Sequence, residues 1–421
     1  MTWTIARKEI VSNLVSYKFF IVLLLLVVLI FTSFFIMHRD FKNRLADYQI
    51  IRPNPGEAIA LVPPNPLSMF AKGLDEAITR SFEVGVVGTT VRAGQKSGNI
   101  IFSFFPTPDF LYVVRVVLSL VALLFGFDQI SQEKERGTLS LMLANTVSRA
   151  KILFGKWLGN FLSLAVPFVL VTLLGIVFLS LDPAVHFSWA HILRLFLILV
   201  MTLVYIAFFL SLGILISALT KRAASSVVIL LFIWALLVFI IPNLGTLLAR
   251  QVVNVPSVRA LSERRQQVWT REVLLSIKEG ERREGQGNWA DHVRIISEEN
   301  DRLEEDYRIK FNRLVTLSKN INRLSPAASF VYAVTDIAGT GISEEGNLKR
   351  EVIRYKDSII AQILANWNVE KKPPFPAFTY TPRALAEIFT SGAFFDAAWL
   401  AFLNILFFAL SYFVFVKYDV R

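Results

Sequence analysis

The chain has no cysteine in 421 residues, so disulfides and thiolate metal sites are both excluded, and any domain outside a membrane must hold together by packing alone. Histidine is nearly as scarce. Its four copies, His38, His186, His191 and His292, form no His-Glu-x-x-His pattern, which removes the usual signature of metal-dependent hydrolysis, and their loop positions predict solvated or interfacial rings. Also missing is Gly-x-x-x-x-Gly-Lys-Ser/Thr, whose consecutive amides and lysine surround nucleotide phosphates. Gly155-Lys156 comes nearest, but Trp157 follows it and Ala150 stands where the first glycine belongs. The chain is expected to be no enzyme and to bind no cofactor of its own.

Charge is absent from long stretches. Phe19 to Met37 carries none, and at about 1.5 Å per residue this run reaches roughly 28 Å, close to the thickness of a bilayer's hydrocarbon core. Similar runs cover 111–127, 157–181, 192–219, 227–249 and 394–416, which predicts six spans. A mean hydropathy of +0.53, with 54% apolar residues and 36 Phe, places the chain outside the soluble class. No small-x-small cleavage site follows the first span, whose exit reads Ser33-Phe-Phe-Ile-Met-His-Arg39, so it is expected to remain as an anchor.

Lysine and arginine set the orientation. Segments 1–18, 128–156, 220–226 and 417–421 hold twelve of them, whereas the short Asp182 to His191 loop holds none. Both termini are therefore predicted to be cytoplasmic, with loops 38–110 and 250–393 outside. The net charge of +11 follows this same distribution, which argues against nucleic acid as a partner. Within the membrane, Arg115, Arg194 and Asp396 each lie near the outer end of a span and are expected to snorkel to the headgroups.

Trp3, Ala6, Ile10, Leu14 and Tyr17 recur at helical spacing beside Arg7 and Lys8, so residues 1–18 are predicted to form an interfacial amphipathic helix in contact with membrane lipid. In the first outer segment, Pro53, Pro55, Pro63, Pro64 and Pro66 exclude regular structure, Leu67 to Phe82 suits a helix, and Val84 to Phe105 has strand character. The second is helical. A stripe from Val293 to Leu324, interrupted at Asn300, should pack on Val258, Leu261, Val268 and Leu275, with Gly280 to Gly287 as the turn of a hairpin. Gly339-Thr340-Gly341 follows no strand and has no lysine, so a helix-ending loop is expected there rather than a phosphate cradle. Pro373, Pro374, Pro376 and Pro382 then predict an extended strap to the last span.

The most informative stretch is Asp128-Gln-Ile-Ser-Gln-Glu-Lys-Glu-Arg-Gly-Thr-Leu139. It continues the second span as a charged helix, Gly137 is placed to end that helix in a left-handed conformation, and Thr138 can cap a short apolar turn from Leu139 to Leu143. An elbow at the membrane surface results. With Val147-Ser148-Arg149 and Ile152-Leu153-Phe154-Gly155-Lys156 behind it, the stretch resembles the first cytoplasmic loop of ABC-2 type transporter permeases, with Thr146 where many relatives have proline. Pro64 to Leu74, Leu324 to Phe330 and Asp336 to Ile342 are similar to the subgroup with an enlarged outer region, which includes gliding-motility and copper-oxidase-maturation permeases.

That resemblance implies an all-α polytopic membrane protein, with six transmembrane helices and a large helical extracytoplasmic domain, in the cell membrane of a prokaryote. It implies a homodimer, or a pair with a similar permease, served by two ABC ATPase subunits that carry ATP and Mg. The coupling residues carried over are Asp128, Glu133, Glu135, Arg136, Gly137, Thr138 and Leu139. The acidic pair Glu133 and Glu135 would meet basic groups on the ATPase, and the N-terminal helix with Trp3, Arg7 and Lys8 would touch it as well. Pro167 and Pro242 are the helix irregularities at which hinges would form. A nearly charge-free membrane interior suits export of an amphiphilic substrate better than conduction of an ion. The alternative is a mechanotransmission or assembly scaffold acting on an extracytoplasmic protein partner.

Because the chain lacks cysteine, topology is testable without background. A single cysteine at Ser276 is expected to react with an impermeant maleimide in spheroplasts; protection there would reverse the orientation.

Overall fold

The computed structural model describes residues 2–51, 57–79, 82–85, 88–91, 109–139, 147–282, 289–366 and 373–417. Among them, six helices are long and apolar enough to cross a membrane: Tyr17–Ile51, Phe110–Glu135, Arg149–Ser180, Trp189–Leu219, Ala223–Val252 and Phe394–Lys417. An unbroken run of Leu, Val, Ile and Phe leaves the backbone no partners in hydrocarbon except its own, so each run closes its hydrogen bonds as a helix. The six helices enclose or overlap the six apolar runs and mostly extend past them. The first continues through the charged residues after Met37 as far as Ile51.

The fourth span is the centre of the bundle, with 67% of its most apolar stretch buried against 17% for the fifth and sixth. Those two therefore leave wide apolar faces for lipid or another chain. The second and fourth spans touch backbone to backbone: a Cβ added at Gly126 or Gly213 would lie 3.0 Å from the other's Cα. Nearby, the Tyr205 ring stacks on Phe330 at 4.3 Å, and its hydroxyl donates to the Arg115 carbonyl at 2.9 Å. That carbonyl lies in a π-helical turn of the second span, Val113–Leu118. A similar turn, Leu236–Ile240, precedes Pro242 in the fifth span, whereas the third runs through Pro167 as one helix.

At the end of the bundle away from the termini, the described parts of segments 38–110 and 250–393 form one module. Strands β1 (Ile59–Ala60), β2 (Phe82–Gly85) and β3 (Gly88–Val91) make an antiparallel sheet in that order, with Ala60 opposite Phe82 and Phe82 opposite Val91. Ala60, Val62 and Ile78 share a core with Leu348, Val352, Tyr355 and Ile359 of the helix Ile342–Ala365. The helix expected over 67–82 is replaced by a 3-10 turn, Pro66–Met69, and a single turn, Asp75–Ile78. The chain bends between them to meet the Gly339-Thr340-Gly341 loop: Leu74 donates its amide to the Thr340 carbonyl at 2.8 Å, and Thr340 Oγ1 donates to the Ala71 carbonyl at 2.7 Å. Gly339, at φ 75°, ends the helix Pro326–Ala338 as the sequence predicts. Pro53, Pro55, residues 86–87 and 92–105 of the expected strand region, and 283–287 of the expected glycine turn lie outside the described residues.

Val258–Arg282 and Trp289–Asn322 are the hairpin helices. They are joined by Arg265–Glu304 and Arg271–Glu299 ion pairs, both 2.7 Å, and by buried Val268, Val293 and Ile296. His292 is not solvated as expected; it is buried, 3.0 Å from the Glu272 carboxylate. That contact and Arg271 hold Glu272 below the usual glutamate range, against the opposing effect of desolvation. The expected apolar seam also stops short. Val258 and Leu275 are exposed, and the second helix instead leans on the fifth span, where Asn322 packs against Gly245 and Ser318 meets Thr246 at 3.2 Å.

Two of the three snorkelling expectations fail because partners lie within reach. Asp396, fully buried, is gripped by Arg323 at 2.6 and 3.2 Å and by Lys319 at 3.4 Å; Lys319 also reaches Asp336 at 3.4 Å. Arg194 donates to the carbonyls of Ile337 at 3.3 Å and Arg383 at 2.7 Å. Arg115 is half-buried beside the Tyr112 ring. The alternating charges Asp336, Lys319, Asp396 and Arg323 thus fasten the foot of the hairpin to the sixth span. Trp399 adds a bond from its indole to the Arg323 carbonyl at 2.8 Å. Arg323→Leu should leave the buried carboxylate with Lys319 alone, at 3.4 Å, costing on the order of 3 kcal/mol. Thermal unfolding should show most of that loss recovered in the double variant Arg323→Leu with Asp396→Leu; equal losses in both would mean that the pair contributes nothing.

Candidate functional site

The site is the elbow at the end of the bundle that carries both termini. The second span bends at residues 127–130 and continues as Ser131–Glu135. Gly137 ends it at φ 72°, the left-handed conformation its position predicts. Among the described residues, no atom lies within 4 Å of where a Cβ on Gly137 would sit, so the backbone's own conformation is the constraint they show. Beyond it Thr138 is exposed and Leu139 is buried in the bundle core; the expected turn from 140 to 143 lies outside the described residues.

Three sets of bonds fix the elbow. Ser217, near the end of the fourth span, accepts hydrogen bonds at its hydroxyl from the amides of Ile130 and Ser131 at 3.0 and 2.9 Å. Lys134 donates to the carbonyls of Ala218 and Thr220, while Glu135 accepts from the Ala223 amide at 3.2 Å. These groups cap the end of the fourth span and the start of the fifth, so the loop between those spans belongs to the same surface. The third set is a lysine between two acids. Lys156, 5% exposed, lies 2.7 Å from Glu133 of the elbow and 3.0 Å from Glu9 of the N-terminal helix Thr2–Leu14.

The N-terminal helix reaches that lysine because the third span offers glycine where the two helices cross. A Cβ at Gly155 would come within 2.9 Å of Ile5, and one at Gly159 within 2.8 Å of the Ala6 carbonyl. Asn13 completes the contact, donating to Asn160 at 2.8 Å and Ser163 at 3.2 Å. The buried face therefore carries Ile5, Ala6, Glu9 and Asn13. Trp3, Arg7, Val11 and Leu14 face away from the bundle, so the stripe predicted from Trp3, Ala6, Ile10 and Leu14 is split between two sides.

Of the residues singled out in the sequence, Asp128 pairs with Lys18 at 3.0 Å and Glu133 is turned inward to Lys156; Arg136, Gly137 and Thr138 remain exposed. Glu133, expected to meet a base on another chain, has one in its own. Lys156 and Glu9 were missed as site residues. The signal was present as Gly155 and Gly159 bracketing the lysine, a spacing that marks close helix approach.

The sequence is similar to those of known proteins. A family model described as ABC-2 family transporter protein matches residues 3–420. Two curated relatives, each named "Probable ABC transporter permease protein NosY", are similar over shorter stretches. The one from Stutzerimonas stutzeri is 35% identical over 91 residues, 21% of this chain and 33% of the relative; that from Pseudomonas aeruginosa is 34% identical over 101 residues, 24% and 35%. The matched stretches thus span about a third of each relative's length. With the family match extending over nearly the whole chain, the protein belongs to the ABC-2 transporter family.

Proposed function

We propose that this permease carries the motion of two separate ATP-binding-cassette subunits, docked on a cytoplasmic elbow, across the membrane to its outer hairpin, as half of a dimer. The observation that carries the reading is the buried ionic attachment of the hairpin to the sixth span, Asp396 with Arg323 and Lys319. A hairpin on a slack linker would absorb a displacement of the spans, whereas one bonded at its foot must follow it. ATP and Mg act on the partner subunits; this chain contributes the elbow, the spans and the lever.

Export of an amphiphile is the second reading, favoured by the apolar faces that the fifth and sixth spans leave open. The readings separate in the purified complex with its ATPase. Stimulation of ATP turnover only by an outer protein partner supports force transmission; stimulation by lipid or amphiphile, with none by such a partner, supports export and removes the lever as the function.

Two variants test the path from elbow to spans. Gly137→Val places a β-branched residue at positive φ, at a cost of about 1 kcal/mol or more. The protein is expected to insert and hold its ATPase, while ATP turnover no longer responds to ligand or partner. Unchanged coupling would remove the elbow's geometry from the mechanism.

Lys156→Met leaves Glu9 and Glu133 facing each other without a cation, which should lower stability by on the order of 3 kcal/mol and free the N-terminal helix. Limited proteolysis reads that release directly. Adding Glu9→Gln and Glu133→Gln should restore protection, and a single variant as resistant as the parent would show the node to be dispensable.

A further inference from the structure

Of the three charges that the sequence places near the outer ends of the spans, two are answered inside the chain: Asp396 by Arg323 and Lys319, and Arg194 by the Ile337 and Arg383 carbonyls. Arg115 is not. Its Nε is enclosed by protein, and among the described residues its guanidinium makes no hydrogen bond or ion pair, with the Tyr112 ring beside it at 5.7 Å. Asp109, the carboxylate at the head of the same span, is occupied with the amides of Tyr112 at 2.7 Å and Lys72 at 3.2 Å. The backbone at Arg115, by contrast, is tightly held. Its carbonyl accepts from Tyr205 of the fourth span at 2.9 Å and from Ser119 at 2.6 Å, and Ser119 in turn accepts from the Trp234 indole of the fifth span at 2.9 Å. Three spans thus fix the π-helical turn that carries an unanswered cation, an arrangement often found where a helix does more than pack.

We propose that Arg115 binds the phosphate of a membrane lipid held beside the outer half of the second span. The inference requires only that the spans lie in a bilayer, and it stands apart from both the lever and the export readings. A guanidinium in hydrocarbon without an anion is costly, and its depth selects what can supply one. Arg115 lies six residues in from Asp109, about 9 Å along a helix, and its side chain leans back toward Tyr112, nearly one turn closer to the surface. A soluble anion would have to shed its water to reach that level. A lipid phosphate has only to sink slightly, because its acyl chains are already in hydrocarbon. The planar fork of arginine can donate to two phosphate oxygens at once, which a single pre-fixed residue needs if it is to hold a lipid by itself.

The test uses the full chain, purified in a neutral detergent and stripped of lipid, and reads binding by native mass spectrometry and stability by thermal unfolding. Phosphatidylglycerol added to the parent is expected to bind tightly and to raise the unfolding temperature. Inorganic phosphate and diacylglycerol, which supply the anion and the acyl chains separately, should do neither. Arg115→Gln should weaken the lipid's binding by about tenfold, and Arg115→Lys by less, since lysine keeps the charge and loses the fork. Without lipid, Arg115→Gln should be at least as stable as the parent, because it removes a cation that the chain leaves unpaired. A drop in stability there would mean that Arg115 is bonded within the protein, and would overturn the site. Parent-like lipid binding in Arg115→Gln would overturn it too, as would equal stabilisation of the parent by diacylglycerol. Stabilisation by inorganic phosphate as strong as by the lipid would give the arginine to an aqueous anion and remove lipid as its ligand.

Discussion

Much of the arrangement at the elbow depends on one lysine taken out of water between two carboxylates. An ammonium at the depth of Lys156 is tolerable only if its charge is matched and its protons are bonded, and Glu133 and Glu9 meet that demand from two different elements. The requirement runs both ways. Neither carboxylate is comfortable at its own depth without the cation, so the elbow and the N-terminal helix are each bound to the third span more tightly than their apolar contacts alone would achieve. Gly155 and Gly159 make this geometry possible, because a side chain at either position would hold the N-terminal helix too far away for Glu9 to reach.

A second ionic node stands at the opposite end of the bundle. Asp396 is buried at the top of the sixth span and takes its cations from the foot of the hairpin. Between the nodes the spans are joined by close backbone contact at Gly126 and Gly213 and by aromatic stacking around Tyr205, with few polar groups to slip. Packing of that kind moves as discrete bodies rather than deforming smoothly. The π-helical turns in the second and fifth spans, the latter followed by Pro242, are places where the α-helical ladder is already interrupted.

The sequence makes some of this plain and hides the rest for a physical reason. The spans are legible because hydrocarbon accepts so few residue types, and the left-handed Gly137 and Gly339 because little else tolerates positive φ. What fails is pairing at a distance. Asp396 reads as a snorkelling acid because its cation, Arg323, is 73 residues away, and Glu133 reads as an outward-facing charge because Lys156 lies across the loop. The module at the hairpin end of the bundle is missed as a unit for the same reason, since β1 and Ile78 find their apolar partners in Leu348 and Val352, more than two hundred residues later.

The charge pattern of the elbow follows from that distinction between sequence and space. Read along the chain, Glu133-Lys-Glu-Arg136 is balanced and offers either sign to a partner. Read on the folded surface, Glu133, Lys134, Glu135 and Lys156 are all used to build the elbow, and Arg136 is left outside. An acid engaged by Lys156 or by a helix amide can meet another chain only through its remaining lone pairs, in the orientation that the bond sets. A base in water carries no such obligation and costs little to desolvate beside an opposite charge. The Lys156 pairs lie in low dielectric, where salt screens them weakly, while Arg136 and the Lys18–Asp128 pair sit in water, where salt screens them strongly.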